Sequence, residues 1–474
     1  MHFSQREVAP ASRLIVVSNR LPVTVRHQRS GVGLIESSGG LASGLHSYLV
    51  KHPGAWVGWP GLASELLSAN QRQQVIDELA ERDFHPVFLT RRLVTDFYLG
   101  FANRALWPLA HYFTQYPVYS QRQWQAYQQG NELFTEQTLH QAKAGDLIWV
   151  HDYHLLLAPE MLRRERPKQR IGFFLHIPFP EFEVFRQLPW RKEVLAGLLG
   201  ADVIGFHTDG DRRHFADCLD RLLGVGGNGR QVVVDGRTVT LGVYPMSIDS
   251  ARFATAGDLP AVRRQVAHLR RQLGERHLVL SLDRLDYSKG IPRRLEAYGR
   301  FLKSHREWHG KVTLVAVTVP SRQEVSEYES LRRNVAERVG EINGQFGTLG
   351  WVPIWYLHRS VPFELLCALY RMAEVALVTP LRDGMNLVAK EYVASQEDGQ
   401  GVLILSETAG AAAELDEALI VNPFDLDQVA ATLATALSMP LAERRRRNEK
   451  MQRHLATATV EAWAAAFLAD LTGA

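Results

Sequence analysis

The residues with the clearest chemical potential lie at positions 381–391, where an apolar run gives way to charged and glycine-containing sequence. Val375–Val378 is predicted to be a strand, Asp383 lies in the turn after it, and a helical pattern begins near Asn386 and carries Glu391. Ligands of parallel α/β sheets bind at such strand-to-helix junctions, and the N–H groups at a helix start suit a phosphate. An ordinary loop between strand and helix is the alternative at this point.

A second junction carries two cations. Arg284 and Lys289 are five positions apart, so both can reach one diphosphate, Arg through its planar fork and Lys as a point charge. A departing diphosphate needs its negative charge stabilised, and these cations with the helix start at 386–388 offer that without a metal. The alternative is a pair of surface cations that form salt bridges with Asp283 and Asp286.

Two Asp-x-Asp patterns, at 209–211 and 425–427, stand where helix caps are expected. We therefore expect no metal site, and no cofactor. A literal Gly-x-Gly-x-x-Gly at 224–229 follows a helical pattern and precedes a predicted hairpin with an Asp235-Gly236 turn. The dinucleotide-binding fingerprint needs a strand before it and a helix after it, so this segment is predicted to be a loop.

Aromatic residues and histidines supply further candidates. Tyr98 and Trp107 bracket a short segment, and aromatic rings with a polar edge suit a sugar, although such clusters are more often plain core. Asp152 and His176 each follow an apolar run, where they can bind hydroxyl groups or share a proton. A buried, hydrogen-bonded histidine is an equally common alternative.

A repeated pattern of apolar run, polar tip and helical segment must position these residues. Continuous apolar runs between helices predict parallel strands buried on both faces. A break near 243–249 separates two series, so we predict an α/β fold with two domains hinged near residue 245, followed by a last stretch that is helical. The runs lie at 14–17, 147–150, 171–175 and 203–206, and at 278–282, 312–317, 375–378 and 402–405.

Polar residues stand at the ends of these runs. Because open α/β sheets bind ligands outside the carboxyl ends of their strands, the two parallel sheets are expected to face a central cleft. The residues concerned are His151, Asp152, His176, His207, Arg284, Arg322 and Asp383.

The composition is that of a globular protein without nucleic acid or membrane as a partner. Of 474 residues, 46% are hydrophobic and 22% charged, and the formal net charge is +3 with Lys and Arg scattered. No apolar run approaches the ~18 residues that span a bilayer, and no signal peptide is evident. Cys218 and Cys367 lie in apolar helical patterns, which suits core residues in a reducing compartment. We expect a cytoplasmic protein, and a homo-oligomer whose size the sequence does not specify.

Five segments together resemble the trehalose-6-phosphate synthases, which are retaining glycosyltransferases of the two-Rossmann-domain GT-B fold. The resemblance implies Rossmann-like domains at 1–245 and 246–455 and a C-terminal helix at 456–474 that packs back on the first. The segments occur in the family's order, and the resemblance runs from about residue 12 to about residue 470. The segments are 16–22, 151–155, 176–180, 284–290 and 381–391.

On the donor side, the resemblance implies that glucose is transferred from UDP-glucose to O1 of glucose 6-phosphate, giving α,α-trehalose 6-phosphate and UDP. Arg284 and Lys289 would then hold the diphosphate, and Glu391 the ribose hydroxyls. Further donor contacts are implied for Gly40, His176, Asp383, Gly384, Met385, Asn386, Leu387 and Val388.

On the acceptor side, the resemblance implies that Arg20, Tyr98, Trp107 and Arg322 contact the phosphate and that Asp152 lies beside the reacting carbon. The family is described with a front-face substitution in which the departing phosphate oxygen takes the acceptor's proton. That implies charge stabilisation and positioning, with no general base. The implied catalytic residues are Asp152, His176, Arg284, Lys289 and Asp383.

Two rival functions stay open. One is a related transferase for another phosphorylated acceptor, such as glycerol 3-phosphate or a cyclitol phosphate. The other is a sugar-phosphate sensor that binds without turnover. The segment 23–36 is polar enough to act as a mobile lid, and the sequence does not specify whether it orders on binding. We expect no fused phosphatase domain after residue 470.

Overall fold

A computed structural model describes residues 13–28, 31–36, 54–322 and 326–473, together with Leu45, Leu49 and His52. Sixteen strands are formed by these residues: β1 (Leu14–Arg20), β2 (Val23–Gln28), β3 (Gly31–Glu36), β4 (Gly54–Trp59), β5 (Phe84–Pro86), β6 (Leu147–His151), β7 (Arg170–Phe174), β8 (Val203–Phe206), β9 (Gln231–Val234), β10 (Arg237–Val243), β11 (His277–Arg284), β12 (Val312–Val319), β13 (Ile354–Leu357), β14 (Val375–Val378), β15 (Val402–Ser406) and β16 (Leu419–Val421).

The longer α-helices span Ala69–Ala80, Gln121–Gln141, Ala158–Glu165, Arg191–Leu198, Asp209–Leu223, Ser250–Thr255, Pro260–Leu273, Ile291–Ser304, Ser326–Phe346, Phe363–Met372, Leu387–Ala394, Leu426–Ser438, Leu441–Thr457 and Val460–Thr472. Short helical turns span Arg91–Leu93, Trp107–Ala110 and Phe182–Phe185, and a π-helical segment spans Val94–Leu106. Across the described part of the chain, none of the helices combines the length and apolar content that crossing a bilayer requires.

Contacts divide the chain into two compact units, Met1–Tyr244 with Ala464–Ala474, and Pro245–Trp463. The first boundary lies next to the expected one at residue 245, whereas the expected boundary between 455 and 456 differs from the one observed. Leu455 is buried in the core of the second unit, and the Val460 N–H donates to the Ile248 carbonyl at 3.2 Å. Residues 456–463 therefore belong with the second unit, and the division falls inside the last helix.

The end of the last helix packs on the sheet of the first unit. The Phe467 ring stacks on Trp149 with ring centres 4.4 Å apart. A Cβ at Gly172 would lie 2.6 Å from this phenyl ring, and one at Gly205 would lie 2.9 Å from it. These two strand positions must lack a side chain because the phenyl ring occupies that space.

The eight-stranded sheet of the first unit has the order β5-β4-β1-β6-β7-β8-β10-β9. Its neighbouring strands are parallel except β9 and β10, which form an antiparallel hairpin. Asp235 and Gly236 join that hairpin with φ of 50° and 74°, the left-handed region that a tight two-residue turn requires. The predicted hairpin is confirmed, and residues 224–229 lie in a loop after helix Asp209–Leu223, as predicted.

The six-stranded sheet of the second unit has the order β13-β12-β11-β14-β15-β16, and all its pairs are parallel. Successive residues of β11 enter different apolar cores, because Leu278, Leu280 and Leu282 pack in one cluster and Val279 in another. Burial of both faces explains why the strand is a continuous apolar run. The polar residues that end these strands lie at one edge of the sheet.

The structure gives the described part of residues 23–36 regular secondary structure, which the sequence did not predict. This part forms an antiparallel hairpin of β2 and β3, in which Val23, Val25 and Val32 are buried. Val23 and Val25 alternate with the more exposed Thr24 and Arg26, the two-residue period of a strand with one covered face. The arginine and histidine content of the segment concealed this alternation. Lid motion stays a prediction.

Candidate active site

The loop after β11 is tightly built. β11 ends at Arg284, a 3-10 turn passes through Lys289, and helix Ile291–Ser304 begins after Gly290. Gly290 has φ +66°, and a Cβ there would lie 2.8 Å from the carbonyl oxygen of Thr379, so the turn needs glycine. The turn leaves Arg284 exposed but Lys289 only 8% exposed.

A buried guanidinium braces this loop. The Arg294 side chain is 0% exposed and donates to Asp283 Oδ2 at 2.7 Å, to Ser281 Oγ at 2.7 Å and to Thr379 Oγ1 at 3.0 Å. It also donates to the carbonyl oxygen of Lys289 at 2.9 Å. Burial raises the pKa of Asp283, and the Arg294 and Lys289 charges oppose that rise. One side chain therefore joins the ends of β11 and β14 to the loop that carries Lys289.

Lys289 and Asp383 form an ion pair between the two junctions that the sequence singled out. Lys289 Nζ lies 2.5 Å from Asp383 Oδ2, and the side chains are 9% and 13% exposed. Asn386 Nδ2 donates to the same oxygen at 2.9 Å. The surface-cation alternative is therefore wrong for Lys289. The neighbouring aspartates have other cations, since Asp283 pairs with Arg294 and Asp286 with Arg322.

The helix of the opening stretch begins where the sequence predicts. Asn386 caps helix Leu387–Ala394, because its Oδ1 accepts a hydrogen bond from the Ala389 N–H at 3.2 Å. A side chain at Gly410 would collide with the carbonyl of Gly384, so two backbones meet closely at this turn. Gly384 and Met385 are buried, and Leu387 and Val388 are half-buried in the first helical turn.

Glu391 lies on the second turn of that helix, where the Tyr370 hydroxyl donates to its Oε2 at 2.7 Å. Burial raises the pKa of Glu391 to about 7, although the Tyr370 hydrogen bond and the Arg252 charge oppose the rise. The carboxyl therefore titrates near neutral pH, with one oxygen already held by a hydroxyl.

We expect this titration to appear in thermal stability. A carboxyl whose pKa is higher in the folded chain stabilises the fold fully below its unfolded pKa and loses that contribution as the pH rises through 7. The melting temperature of the unmodified protein should therefore fall relative to that of Glu391→Gln between pH 5 and pH 8. Scanning calorimetry of both proteins measures this, and a pH-independent difference would contradict the raised pKa.

Arg322, just beyond β12, lies beside the loop of Arg284 and Lys289. Its Nη1 donates to Asp286 Oδ2 at 2.9 Å and to the Tyr328 hydroxyl at 2.5 Å. Burial acts to raise the pKa of Asp286, but the charges of Arg322, Arg284 and Lys289 outweigh it and hold that pKa below its ordinary value. The second unit thus gathers three predicted site cations around one carboxylate.

In the first unit, Arg20 ends β1 against aromatic rings. Its Nη2 donates to Thr24 Oγ1 at 2.9 Å, and the guanidinium lies 4.8 Å from the centre of the Trp59 ring. The centre of the Tyr98 ring lies 5.5 Å from that of Trp59 and 5.7 Å from that of His154, on which it stacks. A cation held among aromatic faces suits a phosphorylated sugar.

Trp107 is connected to the same cluster through other side chains. It is 4% exposed, and its ring lies 5.5 Å from that of Tyr153. The Tyr153 hydroxyl donates to Asn103 Oδ1 at 2.8 Å, and Asn103 Nδ2 donates to the Tyr98 carbonyl at 2.6 Å. The structure therefore brings Trp107 near Tyr98 but buries it, so its sugar contact stays a prediction.

Asp152 and His176 follow β6 and β7. Asp152 Oδ1 accepts a hydrogen bond from the His176 backbone N–H at 3.2 Å. The His176 ring shares a hydrogen bond with His151 across 3.1 Å and lies 5.5 Å from the His207 ring. Burial, and then the His207 ring, hold the pKa of His176 well below its ordinary value. The imidazole is therefore neutral at pH 7 and suited to hydrogen bonding.

Three of the candidate site residues have a backbone conformation that is unusual for a residue other than glycine. Among the described residues, six non-glycine positions have positive φ, and Asp152, Arg322 and Asn386 are three of them, at 75°, 45° and 77°. Such conformations persist only where the surroundings enforce them, and they cluster at functional sites. Gly40 lies outside the described residues. Within the described part, no group of three or more His, Cys, Asp and Glu side chains has a metal-binding arrangement.

Sequence reasoning missed several partners of the site residues. Arg294 lies on the buried face of its helix, at the spacing of Ile291, Leu295 and Tyr298, so a charged residue in an apolar stripe was a usable signal. No local signal in the sequence indicated the other partners. His151 is the partner of His176, Asp286 and Tyr328 are the partners of Arg322, and Tyr370 is the partner of Glu391.

The two α/β units, with cations and carboxylates at the ends of parallel strands, are those of a GT-B glycosyltransferase. A family model described as glycosyltransferase family 20 matches residues 12–473. The chain therefore belongs to glycosyltransferase family 20.

Curated relatives and solved structures give the same family. The chain is 47% identical, over 98% of its length, to a bifunctional trehalose-6-phosphate synthase/phosphatase of Thermoproteus tenax, and spans 64% of that relative's length. It is 44% identical to the UDP-forming α,α-trehalose-phosphate synthase 2 of Aspergillus niger, with 97% of each chain covered. A crystal structure of the UDP-forming enzyme from Burkholderia xenovorans in complex with glucose 6-phosphate matches with a TM-score of 0.88 and 37% identity, covering 98% of this chain and 100% of that one.

Proposed function

We propose that this chain transfers glucose, with retention, from UDP-glucose to glucose 6-phosphate, giving α,α-trehalose 6-phosphate and UDP. The observation that carries the proposal is the 44% identity to a UDP-forming trehalose-phosphate synthase over 97% of both chains. The fold match to a relative crystallised with glucose 6-phosphate supports the acceptor.

On the donor side, the diphosphate of UDP-glucose would replace Asp383 as the partner of Lys289. A diphosphate that approaches Arg284 and Lys289 competes with Asp383 for the lysine, because both are anions. The released carboxylate can then accept hydrogen bonds from the glucose hydroxyls while Asn386 retains it. Glu391 on the next helical turn would accept bonds from the ribose.

On the acceptor side, Arg20 and Arg322 would supply positive charge to the phosphate. The Arg20 guanidinium lies over the Trp59 ring, which contacts the Tyr98 ring, and such aromatic faces suit the pyranose that a glycerol phosphate lacks. Trp107 would add a further contact to the acceptor. Asp152 would lie beside the reacting carbon, with its carboxylate oriented by the His176 backbone N–H.

Transfer would proceed at the front face of the sugar, with the departing phosphate oxygen taking the acceptor proton. No general base and no metal are then required, because Arg284 and Lys289 stabilise the charge on the leaving diphosphate. Substitutions of Asp152, His176 and Asp383 should cause graded losses of turnover. Detection of a covalent glycosyl-enzyme in any carboxylate variant would contradict this mechanism.

An acceptor panel tests the proposed function. UDP release from UDP-glucose should depend on glucose 6-phosphate and be far slower with glucose or glycerol 3-phosphate, because only glucose 6-phosphate offers both the pyranose and the phosphate. Preference for glycerol 3-phosphate would support the related-transferase alternative, and binding without UDP release would support a sensor. The chain is further proposed to act in the cytoplasm as a homo-oligomer without nucleic-acid or membrane partners.

A further inference from the structure

Arg322 is held by two residues that have no role in the proposed chemistry so far. Its Nη1 lies 2.9 Å from Asp286 Oδ2 and 2.5 Å from the Tyr328 hydroxyl, and that hydroxyl donates to Asp286 Oδ2 at 2.8 Å. The three groups form a closed triangle. The Arg322 and Asp286 side chains are 6% and 0% exposed, and Tyr328 is 2% exposed.

Stability alone does not require this arrangement. Removing an arginine and an aspartate from water offsets part of their attraction, and apolar residues of similar volume can often replace a buried ion pair without loss of stability. Arg322 also has φ +45°, a conformation that a non-glycine residue adopts only under constraint. The contacts therefore fix the direction of the guanidinium in addition to pairing the two buried charges.

We propose that Asp286 and Tyr328 are positioning residues that orient the Arg322 guanidinium toward the phosphate of the acceptor. This rests on the proposed function, in which Arg322 contacts that phosphate. Binding at the Nη1 edge by Asp286 and Tyr328 restricts rotation of the side chain, so the cation is already oriented when the acceptor arrives.

The same carboxylate also belongs to the donor loop. Asp286 Oδ1 accepts a hydrogen bond from the Ser288 N–H at 3.0 Å, and its carbonyl accepts one from the Lys289 N–H at 3.1 Å. Asp286 thereby connects the cation proposed for the acceptor phosphate to the loop proposed for the donor diphosphate. The Tyr328 hydroxyl bonds Arg322 and Asp286 from a separate helix, so its removal weakens the hold on Arg322 while the hydrogen bonds from Ser288 and Lys289 to Asp286 remain.

The test is Tyr328→Phe, with Tyr298→Phe as a matched control. Tyr298 is also fully buried in the second unit and loses one hydroxyl, which donates to the Pro353 carbonyl at 3.2 Å. We expect Tyr328→Phe to raise the KM for glucose 6-phosphate about tenfold, as loss of a hydrogen bond to a charged group does. The KM for UDP-glucose should stay within about twofold in both variants, since neither changes the donor cations. The control should leave both KM values unchanged.

A second acceptor separates positioning from a general structural defect. Glucose lacks the phosphate, so kcat/KM for glucose should be unchanged in Tyr328→Phe. An unchanged KM for glucose 6-phosphate, or an equal loss of kcat/KM with both acceptors, would overturn the proposal.

Calorimetric titration of glucose 6-phosphate in the presence of UDP separates this proposal from the proposed function. If the unmodified protein binds glucose 6-phosphate without turnover and Tyr328→Phe binds it about tenfold more weakly, the positioning role holds while the proposed function fails. If the unmodified protein does not bind glucose 6-phosphate, both fail.

Discussion

Replacing Asp383 by Asn should lower kcat by about a hundredfold to a thousandfold, the size of effect seen when a preorganised polar group is removed from a reacting centre. The affinity for UDP should change much less. Asp383 neutralises Lys289 at 2.5 Å, so loss of its charge leaves the lysine more available to a diphosphate. An amide oxygen at this position can still accept hydrogen bonds from Lys289 and from Asn386, which preserves the turn.

The measurement pairs steady-state kcat at saturating substrates with calorimetric binding of UDP. Asp427→Asn is a matched control, because Asp427 is an exposed aspartate that pairs with Arg300 and has no part in the proposed site. The Asp427→Asn control should leave both kcat and the affinity for UDP unchanged. Equal losses of turnover and UDP affinity in Asp383→Asn would contradict the division of roles, in which Asp383 acts on the sugar and Lys289 on the diphosphate.

Replacing Arg294 by Met should lower the free energy of unfolding by about 3–5 kcal/mol, the cost of leaving a buried charge without its partner. The Arg294 and Asp283 side chains are 0% and 3% exposed, so water cannot replace the lost contacts. Thr379 and the carbonyl of Lys289 lose donors as well, and the diphosphate loop loses its brace. UDP affinity should therefore fall together with stability.

A double variant separates the unpaired charge from loss of packing. Arg294→Met combined with Asp283→Leu removes both partners of the buried pair and should be more stable than Arg294→Met alone. The defect of the single variant should also shrink at acidic pH, because burial already raises the pKa of Asp283 and loss of Arg294 raises it further. Urea unfolding at pH 5 and pH 8 measures both effects. A loss below about 1 kcal/mol for the single variant would show that Arg294 does not brace the loop.

The strands were predictable because both faces of each sheet are covered. In β11 and β14, side chains on both faces enter apolar cores, so the sequence shows uninterrupted apolar runs that only parallel strands between helices explain. The helix start at Asn386 was predictable for a local reason, since its side chain caps its own helix. The hairpin of β2 and β3 was missed because only alternate residues are buried and the exposed ones include Arg26.

The ion pairs of the site were not predictable from local pattern. Lys289 and Asp383 are 94 positions apart, and Asp286 and Arg322 are 36 apart, so only the order of strands in the sheet brings them together. The alternative left open by the sequence paired Lys289 with its neighbouring aspartates, but these bind other cations once the loop folds around Gly290. The types and positions of the candidate residues were available from sequence, whereas their partners depend on tertiary contacts.

NMR of the product formed from UDP-glucose and glucose 6-phosphate tests the central claim most directly. We expect a 1,1-linked disaccharide phosphate in which both anomeric centres have the α configuration, together with an equal amount of UDP. A β anomeric centre at the transferred glucose, a linkage to another hydroxyl, or hydrolysis of UDP-glucose to free glucose without a disaccharide would contradict the proposed function.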